Sequence, residues 1–337
     1  MNKINFAPKY VVQALILVFG LLIAAKYSRG QQPMSATNSP SPTPSVFRAN
    51  SLDKSLFFCT TRIETISSDG KTNGYGTGFV FNYEVEGFQG TNIIPFIVTC
   101  RHVLDGFASA SFSFVKKTDG NPDLGKRCTV IIPDIKRLVF YNPDPHIDLA
   151  LIPLQPILEE FKKIGQNPYF VGLDKKLVPD RGASEDLSAI QPIVFIGYPS
   201  GLHDEVNLLP IARRGFTASP YIVDFNGLPF FLIDASVFPG SSGSPVMVLD
   251  EGMYREGELY VAGSRLFFLG LVDQAYIRKS EGIVKFKPLP TQFVPVVDEE
   301  HYLNLGAVIK AKAILDTMLE FSKVYPPPSP PISVSAH

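Results

Sequence analysis

The chain has 337 residues, with 31 basic and 32 acidic side chains and a formal net charge of −1. That balance offers no basic excess of the kind a nucleic-acid partner calls for. With 45% hydrophobic and 19% charged residues, it has the composition of a folded chain with ample material for a core.

In chain order, the first feature is Tyr10–Ala25, YVVQALILVFGLLIAA, preceded by Lys3 and Lys9. A span needs about 20 apolar residues, so this stretch reads as a signal peptide or a short membrane anchor within residues 1–30. Attachment to a membrane through residues 10–25 follows, although Lys26 and Arg29 sit close behind the run. Residues 31–50 are rich in Pro, Ser and Thr and form a linker that cannot bury a core. The domain beyond is expected outside the cytoplasm, secreted, periplasmic or anchored.

From Ser51 to Phe286 short runs rich in Val, Ile and Phe alternate with Gly, Pro, Asn and Asp turns, which predicts an all-β domain. The expected strands include Thr77–Tyr83, Ile94–Thr99, Leu149–Leu154, Ile193–Gly197, Tyr221–Asp224, Phe230–Asp234, Pro245–Leu249 and Leu266–Val272. Residues Pro156–Ser188 break the pattern and join two β halves, at about 51–155 and 189–286. Val308, Ala311, Leu315, Met318 and Phe321 then recur at helical spacing and predict an amphipathic helix over about 303–324. A Pro-rich tail, 325–337, follows.

Cys59, Cys100 and Cys128 allow at most one disulfide, and their spacing matches no zinc site. Their plainest reading is as buried thiols. No metal and no other cofactor is implied.

Three segments carry chemistry. Phe238–Val246, FPGSSGSPV, sets Ser242 in a turn with Gly240 and Gly243, between apolar strands. Such a turn can aim the backbone N–H groups of Gly240 and Ser242 at one point beside the Ser242 hydroxyl. In Ile94–Gly106, His102 follows directly on an apolar strand. In His146–Leu154, Asp148 stands at the mouth of another, where a carboxylate needs a partner. Each has a plainer reading alone: a surface loop, a structural histidine, a turn aspartate. Together they supply a nucleophile, a base and a group that fixes the base's tautomer.

The chain order His, Asp, Ser and the runs TCRHV, HIDLALI and LIDASVFPGSSGSPV resemble the chymotrypsin/trypsin-like serine proteases. The similarity is strongest to the bacterial branch that includes glutamyl endopeptidases and the high-temperature-requirement proteases. GYPSGL and RRGFTAS add to it, and it spans about Phe57–Val272. It implies two antiparallel six-stranded barrels, the active site between them, and a C-terminal helix on the second. It also implies an endopeptidase acylated on Ser242, with His102 as general base, Asp148 orienting it, and a protein or peptide substrate. Ser241 stands where trypsin-like zymogens have Asp, so the nucleophile turn is expected to be ordered by neutral hydrogen bonds and packing. The same resemblance puts Ser236 at the base of the primary pocket and Asp273 on its far wall, with Asp234 facing away. A neutral Ser236 implies a substrate side chain other than Arg or Lys. The competing reading is a catalytically inactive protease fold serving as a binding or scaffold module at the membrane.

Overall fold

The computed structural model describes residues 49, 51–70, 73–87, 90–283 and 296–325. The apolar leader, nearly all of the linker and the Pro-rich stretch after Tyr325 lie outside them. Among the described residues no helix is long and apolar enough to cross a membrane.

The first half contributes β1 (Thr60–Ile66), β2 (Asn73–Gly87), β3 (Gly90–Thr99), β4 (Ser109–Thr118), β5 (Asn121–Pro133), β6 (Phe140–Tyr141) and β7 (Ala150–Pro153). These run in the order β5-β4-β1-β2-β3-β7-β6, with β8 (Pro168–Tyr169) on β4 and β9 (Leu173–Asp174) on β2. Among the described residues the expected first barrel is therefore a nine-stranded sheet whose strand order does not close. The end strand β6 has only two residues, too few to carry the ladder round to β5.

The second half is a closed six-stranded barrel. Its strands are β10 (Pro192–Gly197), β11 (Ile211–Thr217), β12 (Phe230–Asp234), β13 (Pro245–Asp250), β16 (Arg265–Ile283) and β17 (Val296–Lys310). A hairpin of β14 (Met253–Glu256) and β15 (Leu259–Ala262) lies between β13 and β16. Between the halves come the helix Leu154–Lys163 and the short helix Arg181–Asp186.

Two sequence expectations fail here. Tyr221–Asp224 is not a strand: Pro220 precedes it, the Val223 N–H turns back to the Pro220 carbonyl at 3.2 Å, and a 3-10 turn follows at Phe225–Gly227. The helix occupies Ala311–Val324 rather than 303–324, because Leu305–Lys310 is strand, paired with both β12 and β16. That segment closes the barrel. A strand buried on both faces reads as a continuous apolar run and cannot be told from buried helix by periodicity. Val308, which fits the helical spacing, belongs to the strand.

Fully buried Phe79, Phe81, Phe96, Phe112 and Phe268 dominate the core. Phe268 of β16 packs its ring 5.2 Å from Phe79 and 5.8 Å from Phe81 of β2, so one core runs across the two halves. The barrel has its own interior of Phe195, Phe231, Ile233, Val246, Val248 and Val308. The run Pro245–Val248 is apolar throughout because Met247 faces the shared core while Val246 and Val248 face the barrel. The C-terminal helix lays Phe321 edge-on against Phe96 (4.9 Å) and Phe140 (5.5 Å). Inside this contact the Asn142 amide donates to Thr317 Oγ1 at 2.7 Å. The helix thus returns to the first half rather than resting on the second barrel alone.

Replacing Phe321 by Ala should remove two edge contacts and open a void, lowering the unfolding free energy by about 2–4 kcal/mol. Equilibrium denaturation of the two proteins measures this.

Candidate active site

The strand register assembles the site. Thr99 at the end of β3 pairs with Ala150 at the start of β7. The residues just beyond each strand end, His102 in the helical turn Arg101–Leu104 and Asp148 before β7, are thereby neighbours. Asp148 grips the His102 residue twice. Its Oδ1 accepts the His102 backbone N–H at 2.9 Å, and its Oδ2 meets the ring Nδ1 in a short contact. The Arg101 N–H adds a bond to the Asp148 carbonyl at 3.2 Å. Nδ1 is thus engaged, which leaves Nε2 as the ring atom available for proton transfer.

Burial opposes the imidazolium, yet the Asp148 hydrogen bond and charge outweigh it and raise the His102 pKa above its ordinary value. Burial likewise pushes the Asp148 carboxyl up, and the His102 hydrogen bond and charge overcome it, holding Asp148 below the usual carboxylate range.

Ser242 lies in the turn that leads into β13. Pro245 pairs with Leu271 of β16, and the bonds Gly243 N–H to Val272 carbonyl (2.8 Å) and Val272 N–H to Ser244 carbonyl (2.9 Å) fix the turn beside Asp273. The Ser242 hydroxyl donates to the Asp273 carbonyl at 3.0 Å. Among the described residues no hydrogen bond joins Ser242 to His102. The structure thus unites His102 with Asp148 and hangs Ser242 on Asp273. Gly240 (φ 84°) and Gly243 (φ 89°) both adopt left-handed backbone. A Cβ at Gly243 would stand 1.9 Å from the Thr77 carbonyl oxygen, so no other residue fits. Among the described residues the N–H groups of Gly240 and Ser242 bond to no backbone carbonyl, as donors reserved for an oxyanion would not.

Sequence reasoning missed Thr77. Its hydroxyl donates to the Gly240 carbonyl (2.8 Å) and receives the Tyr198 N–H (3.0 Å). Its N–H donates to the Ser242 carbonyl (3.0 Å), and its carbonyl accepts from Thr99 Oγ1 (2.7 Å). The only trace in the sequence is a polar residue inside the glycine-rich run GYGTGF.

The primary-pocket candidates lie on two segments. After β12 the chain alternates: Ala235 and Val237 are buried, while Asp234, Ser236 and Phe238 are exposed. Asp234 lies two places from Ser236 in an alternating segment and shares its side rather than facing away. Asp273 is buried, and it lines one cavity with Asp148.

All three cysteines are free and buried. Cys100 Sγ, a His102 ring nitrogen and an Asp273 carboxyl oxygen lie within 4.8 Å of one another. Burial pushes the Cys100 thiol well above its ordinary pKa, and its sulfur contacts the Val272 carbonyl at 3.3 Å. Metal ligation needs a thiolate, so this cluster is poorly matched to a metal.

The family description "Trypsin-like peptidase domain" matches residues 76–253, more than half of the chain. The chain belongs to that family of serine peptidases, and its mostly β fold with a closed six-stranded barrel agrees. Solved structures similar to it include the HtrA-type protease AlgW with tripeptide, at 14% identity and TM-score 0.40, with 79% of this chain and 61% of that chain covered. This chain thus spans less than two thirds of AlgW's length. The active form of the Rv3671c protease from M. tuberculosis is 16% identical, with 86% and 92% covered and a TM-score of 0.40. The thermostable serine protease AL20 from an extremophilic microorganism is 13% identical, with 79% and 97% covered and a TM-score of 0.39. No curated protein sequence matches.

Thr77→Val keeps the shape but leaves the Gly240 carbonyl and Tyr198 N–H unpaired in the interior. Stability should fall by roughly 2–4 kcal/mol, and peptidase activity per folded molecule should fall with it. Urea denaturation and active-site titration together read both effects.

Proposed function

We propose that the chain is a serine endopeptidase that acylates Ser242, with His102 as general base and Asp148 orienting it. The observation that carries this reading is the double grip of Asp148 on His102, which fixes the ring and presents Nε2. In this mechanism Nε2 takes the Ser242 proton as Oγ attacks the scissile carbonyl. The Gly240 and Ser242 N–H groups receive the developing oxyanion, and the imidazolium then protonates the leaving amine. Asp148 stabilises that imidazolium without taking its proton.

The Ser242 hydroxyl must leave the Asp273 carbonyl to do this. Its side-chain bond turns between staggered wells, and catalytic hydrogen bonds in unliganded sites often form only once substrate binds. That same rotamer is the observation that keeps the inactive-scaffold reading in play. A fluorophosphonate probe separates the two, because only an activated serine is labelled. Labelling of wild type but not of Ser242→Ala supports the peptidase. No labelling of either favours the scaffold.

By the resemblance Ser236 stands at the base of the primary pocket, and a neutral residue there supplies no carboxylate for a cationic side chain, which supports cleavage after residues other than Arg or Lys. A panel of peptides varying only that side chain tests it, and a clear preference for Arg or Lys would overturn it. The apolar leader and the uncharged stretch Gln31–Ser45 support a domain outside the cytoplasm. A reporter fusion that places Ser242 inside would refute that.

Ser242→Ala, His102→Ala and Asp148→Asn should each lower kcat/KM on a peptide by about 10⁴-fold, without additivity. His102 must be neutral to act as base and its pKa is raised, so activity should be lost as pH falls through a midpoint above about 6.5. In Asp148→Asn that midpoint should move to lower pH. A kcat/KM profile against pH checks both.

A further inference from the structure

Asp273 is the residue at which β16 departs from a regular ladder. Val272 pairs with Val308 and Gln274 with Ala307, so Asp273 is an extra residue without a partner on β17. A bulge of this kind re-aims a side chain and frees a backbone group. Here both consequences meet the site. The freed carbonyl holds the Ser242 hydroxyl, and the buried carboxyl turns inward, within 4.8 Å of a His102 ring nitrogen and lining one cavity with Asp148.

Two ionised carboxylates have four acceptor oxygens and no donor, so the two can bond only while one carboxyl is protonated. Asp148 is poorly placed to hold the proton. Both of its oxygens are already turned to the His102 residue, one to the backbone N–H and one to the ring. The proton therefore belongs to Asp273, which is 5% exposed and, among the described residues, takes part in no ion pair.

We propose that Asp273 is a positioning residue that holds Asp148 through a carboxylic-acid proton, so that loss of this one proton resets the Asp148–His102 pair. The inference builds on His102 as general base for its catalytic consequence only.

The groups facing Asp273 agree with this. Burial and the Asp148 charge raise its pKa to about 7, against a smaller opposing effect of His102. Cys100 adds a neutral thiol. Asp273 and Asp148 both line a cavity of about 260 Å³ with His146 and Tyr276, while β17 contributes Ala307 and the turn before β12 contributes Phe225 and Asn226. No Lys or Arg lines it, so no permanent cation there offsets a second negative charge, and the cavity gives the proton a route out. With the proton present, Asp148 is a single charge held from two sides. Without it, two anions repel beside His102, and the imidazolium is favoured over the neutral base.

The test does not depend on turnover. In Ser242→Ala protein, the His102 imidazole and the Asp273 carboxyl carbon are titrated by NMR, with and without Asp273→Asn. The expected result is an Asp273 carboxyl that titrates near neutrality and a His102 midpoint that falls by roughly half to one pH unit in Asp273→Asn. An Asp273 carboxyl that titrates in the ordinary aspartate range, or an unmoved His102 midpoint, overturns the proposal. In the otherwise wild-type enzyme, Asp273→Asn and Asp273→Ser keep a neutral donor and should retain kcat within about 3-fold. Asp273→Ala should lose about 10-fold or more. Equal losses in all three also overturn it, and the serine variant supplies the comparison if the asparagine variant does not fold. Fluorophosphonate labelling of the wild type reports separately on the peptidase reading.

Discussion

The site depends first on one threonine. Catalytic candidates come from two β halves, His102 and Asp148 from the first and Ser242 from the second, and Thr77 joins them. Its N–H and hydroxyl hold the Ser242 and Gly240 carbonyls, and its own carbonyl is held by Thr99, three residues before His102. A buried hydroxyl with both a donor and an acceptor partner is satisfied, and its loss would strand two backbone groups. The packing around it leaves no slack, since the Gly243 Cα lies against the Thr77 carbonyl with no room for a side chain. Rings of Phe79, Phe81 and Phe268 extend the same junction into the core. The relative position of base and nucleophile is therefore set by backbone contacts, and backbone contacts tolerate little displacement.

Electrostatics then divides labour between the two carboxyls. Asp148 and Asp273 touch, and burial disfavours charge on both. What separates them is the company each keeps. Asp148 receives two N–H groups from His102 and remains ionised. Asp273 faces the neighbouring anion, against a smaller opposing effect of His102, and keeps its proton. Two carboxyls in contact can differ in this way because each extra donor favours the charged form, while each like charge disfavours it. The outcome is one net charge under the imidazole.

Much of this was legible in the sequence. His102, Asp148 and Ser242 each follow or precede a short apolar strand, and strand ends are where a rigid scaffold can present reactive groups. The β character of both halves was visible for the same reason. Other features were hidden. The strand Leu305–Lys310 is buried on both sides and so carries no alternation, which let its residues pass for the start of the helix. The place of Asp273 beside the Asp148–His102 pair was hidden, because the bulge that turns it inward leaves no mark in a linear count. The exposure of Ser236 likewise cannot be read by counting back from Ser242. Thr77 acts entirely through partners distant in sequence, so nothing near it announced the role.

The nucleophile turn also shows how order is kept without an ion pair at its centre. Ser241 is buried, and its hydroxyl draws two long contacts, from the Phe238 N–H and from Arg213, each at 3.4 Å. Arg213 is a cation, so the contacts on this turn are not all neutral, as the sequence had suggested. Yet bonds of that length are weak. The shorter ones are backbone to backbone: Ser241 N–H to Phe238 carbonyl at 3.0 Å, Ser244 N–H to Ser241 carbonyl at 2.9 Å, and Gly243 N–H to Val272 carbonyl at 2.8 Å. Arg213 lies 5.0 Å from both the Phe195 and Phe238 rings, and burial lowers its pKa. A guanidinium between two aromatic faces is held by ring quadrupoles and packing and needs no carboxylate. It braces Phe238 from outside while the backbone ladder sets the turn. The conformation that exposes the Gly240 and Ser242 N–H groups is therefore built from contacts within the barrel and from Thr77 of the first half, and none of these contacts requires a charged chain terminus.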